Sequence, residues 1–384
     1  MMITHAGRRY GPTLRRPTSP WPAPSRRRTR LAAAGGDMTR TIREPVTALT
    51  TAMTPIVVLP DLCCDEARVR QSAGIIDLEQ VTAMSLDAGR LEIIRKGPRS
   101  RPEYPPLLLV HGAWHGAWCW QQGFMDALAD RGHEVAALSL RGHGNSPGSG
   151  RFAMSRHGIR DYVEDVAAVA DMLTRLPVIV GHSMGGFVAQ RYLCDRHPAT
   201  GAVLLAPVPP TGVFPLFLRL LRSEPLATAT AVVSLDLGRL LHDSVRASRL
   251  LFYDALEATE LLALHPLLGG KSFRVFVELL APRLDIHRAV APVAVIAAGA
   301  DALFTAAEAR ATANAWKTRE TVFDGLAHDL MLVPGWRTLA DAVSRCAVAF
   351  DGLPRTAVRA PVGKAGRGSG TPWTPGHAGG VSSS

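Results

Sequence analysis

Cysteine is scarce: there are five in 384 residues. Cys63 and Cys64 are adjacent, and Cys119, Cys194 and Cys346 lie far apart. An odd count without framework spacing excludes a disulfide scaffold and reads as free thiols in a reducing compartment, the cytoplasm. Long apolar runs are also missing. Pro55-Ile56-Val57-Val58-Leu59-Pro60 is too short and too broken to span a bilayer, and no other run spans one. No internal repeat is present. Acidic residues are nearly absent from both ends. Residues 1–43 hold ten Arg, no Lys and one acid, Asp37, a net of +9. Residues 353–384 carry Arg355, Arg359, Lys364 and Arg367 with no acid, a net of +4. The whole chain is +10, so residues 44–352 sit at −3. A basic excess confined to the ends excludes a nucleic-acid footprint on the folded body.

Hydrophobic residues, at 47%, suffice for a large core. Residues 1–53 form an Arg/Pro-rich segment expected to be disordered. Ser25-Arg26-Arg27-Arg28 resembles a twin-arginine start, but Leu31-Ala32-Ala33-Ala34 is too short for the apolar region that must follow. An Arg-rich, acid-poor leader also fits a transit peptide. The favoured reading is that Gly35-Gly36-Asp37-Met38 is a ribosome-binding sequence read in frame, with Met38 or Met53 as the start. Residues 353–384, rich in Gly, Pro and Ser, are expected to be a disordered tail.

Between the ends, strand and helix patterns alternate. Ala83–Leu86 and Leu91–Ile94 read as two strands joined by Asp87-Ala88-Gly89. Pro106–Val110 is continuously apolar, as in a strand buried on both faces of a parallel sheet. A helix is predicted over Trp118–Arg131, a strand over His133–Ser139 and a helix over Ile159–Leu173. Strands at Pro177–Val180, Ala202–Leu205, Pro292–Ala298 and Thr321–Phe323 follow, with helices at Gly186–Arg196, Thr305–Trp316 and Leu339–Phe350. This order implies an α/β fold with a mostly parallel central sheet flanked by helices, built from residues 81–206 and 291–352. Residues 207–290 hold helical stripes such as Phe214-Leu216-Phe217-Leu220 and no strand run. They read as a helical cap inserted over the carboxyl edge of the sheet, where such sheets bind ligands, with its apolar side chains walling a pocket.

The chemistry centres on Gly181-His182-Ser183-Met184-Gly185, set between an apolar strand and a helix. Small residues two before and two after Ser183 permit the sharp turn that exposes a nucleophilic hydroxyl. Serine needs a base to take its proton. His328 follows the last strand, in Gly325-Leu326-Ala327-His328-Asp329. The base needs a carboxylate to fix its tautomer, and Asp301 follows the preceding strand. Asp285, at the wrong end of that strand, and Asp324, nearly adjacent to His328, are rivals for the acid. The oxyanion donors are assigned to the Met184 and Ala113 N–H groups, with Trp114 in reserve. Trp114 and His182 are the candidate substrate contacts. His111 hydrogen-bonds its own loop. His111 and His115 lack the acid or Cys cluster of a metal site, so no metal and no cofactor are expected.

These residues, with His111-Gly112 and Leu140-Arg141-Gly142-His143-Gly144-Asn145-Ser146, resemble the α/β-hydrolase superfamily over about residues 82–352. His115-Gly116-Ala117-Trp118-Cys119-Trp120 is similar to the matching loop of plant methylesterases and hydroxynitrile lyases. The long insertion resembles that of monoacylglycerol-lipase-like esterases. The resemblance implies hydrolysis of a carboxylic ester through an acyl-enzyme, without a cofactor, and the apolar insertion points to a small-molecule ester with an apolar acyl or alcohol part. Carbon–carbon bond hydrolysis and cofactor-free perhydrolysis would reuse the same triad. A small-molecule receptor on the same fold is the alternative from another class. Dehalogenase and epoxide-hydrolase readings are disfavoured, since those families carry Asp where Ser183 stands.

Overall fold

The computed structural model describes residues 81–86, 89–98, 102–270, 272–289 and 291–353. Residues 1–53, the pair Cys63 and Cys64, the turn residues Asp87 and Ala88, and the tail beyond Leu353 lie outside the described residues. Among the described residues, Cys119, Cys194 and Cys346 are free thiols. No helix among them is long and apolar enough to cross a membrane.

Eight strands form one sheet: β1 (Val81–Leu86), β2 (Gly89–Lys96), β3 (Leu107–Val110), β4 (Val135–Leu138), β5 (Val178–His182), β6 (Gly201–Leu205), β7 (Val293–Ala298) and β8 (Glu320–Phe323). Their spatial order is β1-β2-β4-β3-β5-β6-β7-β8. β1 and β2 pair antiparallel, as do β2 and β4, and every later pair is parallel. The order places β3 beside β5, with Val110 opposite Gly181. The loops after those two strands therefore emerge side by side. β3, β4, β5 and β6 are buried along their whole lengths. That explains their unbroken Val/Leu/Ile/Ala character, since helices cover both faces of a parallel sheet.

Helices α1 (Phe124–Ala129), α2 (Arg151–Met154), α3 (Ile159–Ala170), α4 (Met184–Cys194), α10 (Ala306–Ala315) and α11 (Trp336–Asp351) accompany the sheet. α3 buries Ile159, Tyr162, Val163, Val166 and Val169, the spacing of one helical face. The helix predicted over Trp118–Arg131 is instead a 3₁₀ turn, Ala117–Trp120, followed by the short α1. Gly123, at φ 89°, breaks the run between them. A Cβ there would come within 2.9 Å of the Trp336 ring.

Between β6 and β7 the described residues contain only helical elements: α5 (Phe214–Ser223), α6 (Pro225–Val233), α7 (Ser244–Ala247), α8 (Ala258–Leu264), α9 (Phe273–Leu280), three 3₁₀ turns and one π turn. This insertion touches loops that leave the carboxyl ends of β3 and β8. Leu237 O accepts the Trp114 ring N–H at 3.1 Å. Gly269 N–H donates to Trp114 O at 2.7 Å, and Asp329 N–H donates to Leu251 O at 3.0 Å.

One buried carboxyl fastens the loop after β4. Glu92, on β2, accepts Ser139 Oγ–H at 2.6 Å, the Asn145 N–H at 2.9 Å and the Asn145 side-chain N–H at 2.6 Å. Ser139 Oγ also accepts the Ala117 N–H at 2.8 Å. A single side chain thus joins three segments far apart in sequence. Glu92→Ala should leave those donors without an acceptor and lower stability by roughly 2–4 kcal/mol, read as a reduced urea midpoint at unchanged slope.

Candidate active site

Ser183 stands at the junction of β5 and α4 with φ 52° and ψ −115°. A non-glycine residue held there stores strain of order 1–3 kcal/mol. The flanking glycines make the turn possible by close approach. A Cβ on Gly181 would lie 2.4 Å from Gly185 O, and one on Gly185 would lie 2.3 Å from Val110 O. The elbow is tied to its neighbours through Ser183 N–H to Leu205 O at 2.9 Å and Val208 N–H to Ser183 O at 3.0 Å. The serine is almost covered, at 6% exposure.

The structure brings Ser183, His328 and Asp301 into one chain of contacts. His328 Nε2 lies 3.0 Å from Ser183 Oγ. His328 Nδ1 lies 2.9 Å from Asp301 Oδ2. Asp301 Oδ1 in turn accepts the N–H groups of Leu303 at 2.8 Å and Phe304 at 2.9 Å, which fixes the carboxylate plane. Of the rival acids, Asp324 is exposed and Asp285 precedes a 3₁₀ turn ahead of β7. Burial pushes the His328 pKa down, but the charge and hydrogen bond of Asp301, with Asp329 behind, outweigh it and raise it above the ordinary histidine value.

The loop after β3 faces the elbow. A Cβ on Gly112 would meet His182 Nδ1 at 2.8 Å and Ser183 Cβ at 3.0 Å, so only glycine lets the backbone this close. Ala113 follows it, buried. Met184 is the first residue of α4, where its N–H has no acceptor within the helix. Trp114 sits in the left-handed region at φ 65°. His111 is fully buried, and burial together with the neighbouring His143 holds its pKa well below the usual value. Its neutral ring gives Nδ1–H to Gly112 O at 2.7 Å and accepts the Leu140 N–H on Nε2 at 3.0 Å.

His182, expected at the substrate, lies behind the site instead, with no exposed surface. Its Nε2–H donates to His328 O at 2.9 Å. Burial first, and then the nearby His328, lowers its pKa to about 3, so it stays neutral. Sequence reasoning missed Asp329, which is fully buried and accepts from His115 Nε2 at 3.0 Å. The signal was its place next to His328, where only apolar neighbours follow.

The ligand atoms of His182, His328 and Asp329 lie within 4.8 Å of one another. Both His328 nitrogens are already committed to Asp301 and Ser183, and His182 Nε2 to a carbonyl. Only His182 Nδ1 and Asp329 Oδ1 lack partners, too few donors for a metal site.

Two cavities border Trp114 or its bonded partner. A small apolar one, about 40 Å³, is lined by Trp114, Val213, Leu216, Phe217, Leu220 and Phe276. A larger one, about 480 Å³, includes Met154, Asp236, His242, His265 and Gly269, and neither Ser183 nor His328 lines it. Asp301→Asn should remove the charge that raises His328. Its ring titration, followed by NMR, should move down by about 1–3 pH units, whereas Asp324→Asn should leave it in place.

Curated relatives include plant proteins matched over short stretches. Methylesterase 18 of Arabidopsis thaliana is 34% identical over 93 residues, 23% of this chain and 33% of that protein. Methyl jasmonate esterase 1 of Vitis vinifera is 37% identical over 94 residues, 24% of this chain and 34% of that protein. The chain thus spans about a third of the length of these two relatives. Among solved structures, the N-acyl homoserine lactonase AidH superimposes with a TM-score of 0.54 at 18% identity, covering 72% of this chain and 99% of that one. The esterase RhEst1 from a Rhodococcus species gives 0.52 at 20%, covering 72% and 100%. At these identities the likeness concerns the fold. The alpha/beta hydrolase family model matches residues 107–355, well over half of the sequence and the whole stretch from β3 to α11, and the chain belongs to that family.

Proposed function

We propose that the protein is a serine hydrolase of carboxylic esters, working through an acyl-enzyme on Ser183. The observation that carries this reading is the unbroken contact chain Ser183–His328–Asp301, with a strained serine at its head. His328 Nε2 accepts the Ser183 proton as Oγ attacks the ester carbonyl. Asp301 accepts the Nδ1–H and stabilises the imidazolium that forms. The Ala113 and Met184 N–H groups receive the developing oxyanion. His328 then protonates the departing alcohol, and water repeats the cycle on the acyl-enzyme. No step calls for a cofactor.

The esterase names of the plant relatives support a small ester as substrate. The apolar cavity beside Trp114 supports an apolar acyl or alcohol part, with residues 207–290 acting as a cap. Trp114, which borders both the oxyanion loop and this cavity, is the proposed substrate contact.

Ser183→Ala should lower kcat on p-nitrophenyl esters by about 10⁵–10⁶-fold, while the circular dichroism spectrum stays as in the wild type. Near-wild-type turnover would remove the nucleophile. A pre-steady-state burst of nitrophenol equal to the enzyme concentration should separate an acyl-enzyme from a receptor that merely binds the ester. The wild-type kcat/KM should fall with one proton on the acid side. Because His328 must be neutral and its pKa is raised, that limb should lie above about 6.5. A limb well below that value would mean another base.

A further inference from the structure

A second His–Asp pair lies directly behind the reacting residues. His115 and Asp329 have side-chain exposures of 1% and 0%. His115 Nδ1 lies 2.7 Å from Ala113 O, and its Nε2 lies 3.0 Å from Asp329 Oδ2. A carbonyl can only accept, so Nδ1–H donates to Ala113 O, and the ring joins that carbonyl to the buried Asp329 carboxyl.

We propose that His115 and Asp329 are a positioning pair that clamps the oxyanion loop to the loop carrying His328. This rests on the serine-hydrolase reading for its consequence, though not for its geometry. Each end of the pair is anchored. The peptide before Ala113 has its carbonyl, Gly112 O, held by His111, and the peptide after it has Ala113 O held by His115. The proposed oxyanion donor, Ala113 N–H, thus lies between two carbonyls, each fixed by a buried imidazole. The next residue, Trp114, is held at φ 65°, a conformation that would relax if Ala113 O were released. At the other end, Asp329 follows His328 immediately, and its own N–H is bonded to Leu251 O. Moving Asp329 therefore moves His328.

The charges around the pair agree with this arrangement. Burial pushes the Asp329 pKa up, but the charge and hydrogen bond of His115, with His182 and His328 nearby, hold it below the usual carboxylate range. His182 Nε2 is 3.6 Å from Asp329 Oδ1 and stays neutral. Cys119, on the 3₁₀ turn after the loop, is kept protonated by burial and by Asp329. Asp301 and Asp329 are the two acids that act on His328. Losing the Asp329 charge should therefore lower the His328 pKa.

Two measurements test the pair. In the full-length Ser183→Ala protein labelled with ¹⁵N-histidine, NMR should show a His115 ring N–H protected from exchange with solvent, and adding Asp329→Asn should abolish that protection. Protection that is absent, or that Asp329→Asn leaves unchanged, overturns the proposal, whatever the activity data say. With p-nitrophenyl butyrate, His115→Ala and Asp329→Asn should lower kcat by about 10²-fold with KM within about 3-fold, since a misplacement near 1 Å costs this much. His115→Gln, which keeps one donor, should recover part of the loss. The acid limb of kcat/KM should move to lower pH in Asp329→Asn. Variants that melt earlier but keep wild-type kcat and an unmoved acid limb would make the pair merely structural and overturn the proposal. If Asp329→Asn does not fold, the His115 variants and the exchange measurement on Ser183→Ala still decide it. Retained hydrolysis in Ser183→Ala would overturn the serine reading and leave the NMR result intact, so the two failures are distinguishable.

Discussion

The tight contact between the β5–α4 turn and the end of β3 is what the remainder of the site depends on. Gly181, Gly185 and Gly112 each occupy a place where a methyl group would overlap backbone or side-chain atoms. Without these three close approaches, the strand carrying Ser183 would stand away from β3, and the loop after β3 could not reach the serine. The strain at Ser183 is held by bonds to β6 and to the segment after it. Packing at this one point sets the distance from Ser183 to the loop after β3 and directs Oγ toward His328, which arrives from β8.

Electrostatics adds a second layer that packing alone does not supply. Four histidines, His111, His115, His182 and His328, crowd a space closed to solvent. They do not all behave alike. His111 is held neutral by burial and by His143, and His182 by burial and by His328, and each then has a fixed tautomer. His328 is pushed the other way by two carboxylates. One low-dielectric region therefore contains two rings held neutral against backbone atoms and one whose pKa is raised by the charges of Asp301 and Asp329.

Much of this was legible in the sequence. The apolar runs located the parallel strands because a strand buried on both faces must be apolar throughout. The positions of Ser183, Asp301 and His328 followed from which strand each one succeeds, since the carboxyl ends of parallel strands lie on one edge. Long-range polar pairing was not legible. Glu92 sits in a strand like any outward-facing residue, and its partners are 47 and 53 residues away. Asp329 looked like a neighbour of the base, yet its partner His115 is 214 residues distant. His182 looked available to substrate because it adjoins Ser183, but the alternation of the strand turns it inward. The break at Gly123 was missed because an isolated glycine is tolerated within a helical pattern, and the Trp336 ring packed against it comes from the far end of the chain.

Trp114 is fastened to the helical insertion by its ring N–H and its carbonyl, and both partners, Leu237 O and Gly269 N, are main-chain atoms. A tie of this kind reads the path of the insertion and ignores its side chains. Leu237 and Gly269 can be exchanged for other residues without losing the bond, provided the backbone keeps its course. The side chains of the insertion are therefore free to diverge while the loop beside Ser183 stays in register. Insertions or deletions between α6 and α9 carry the opposite consequence: by shifting that path they reach the loop beside Ser183 through a residue that they never alter.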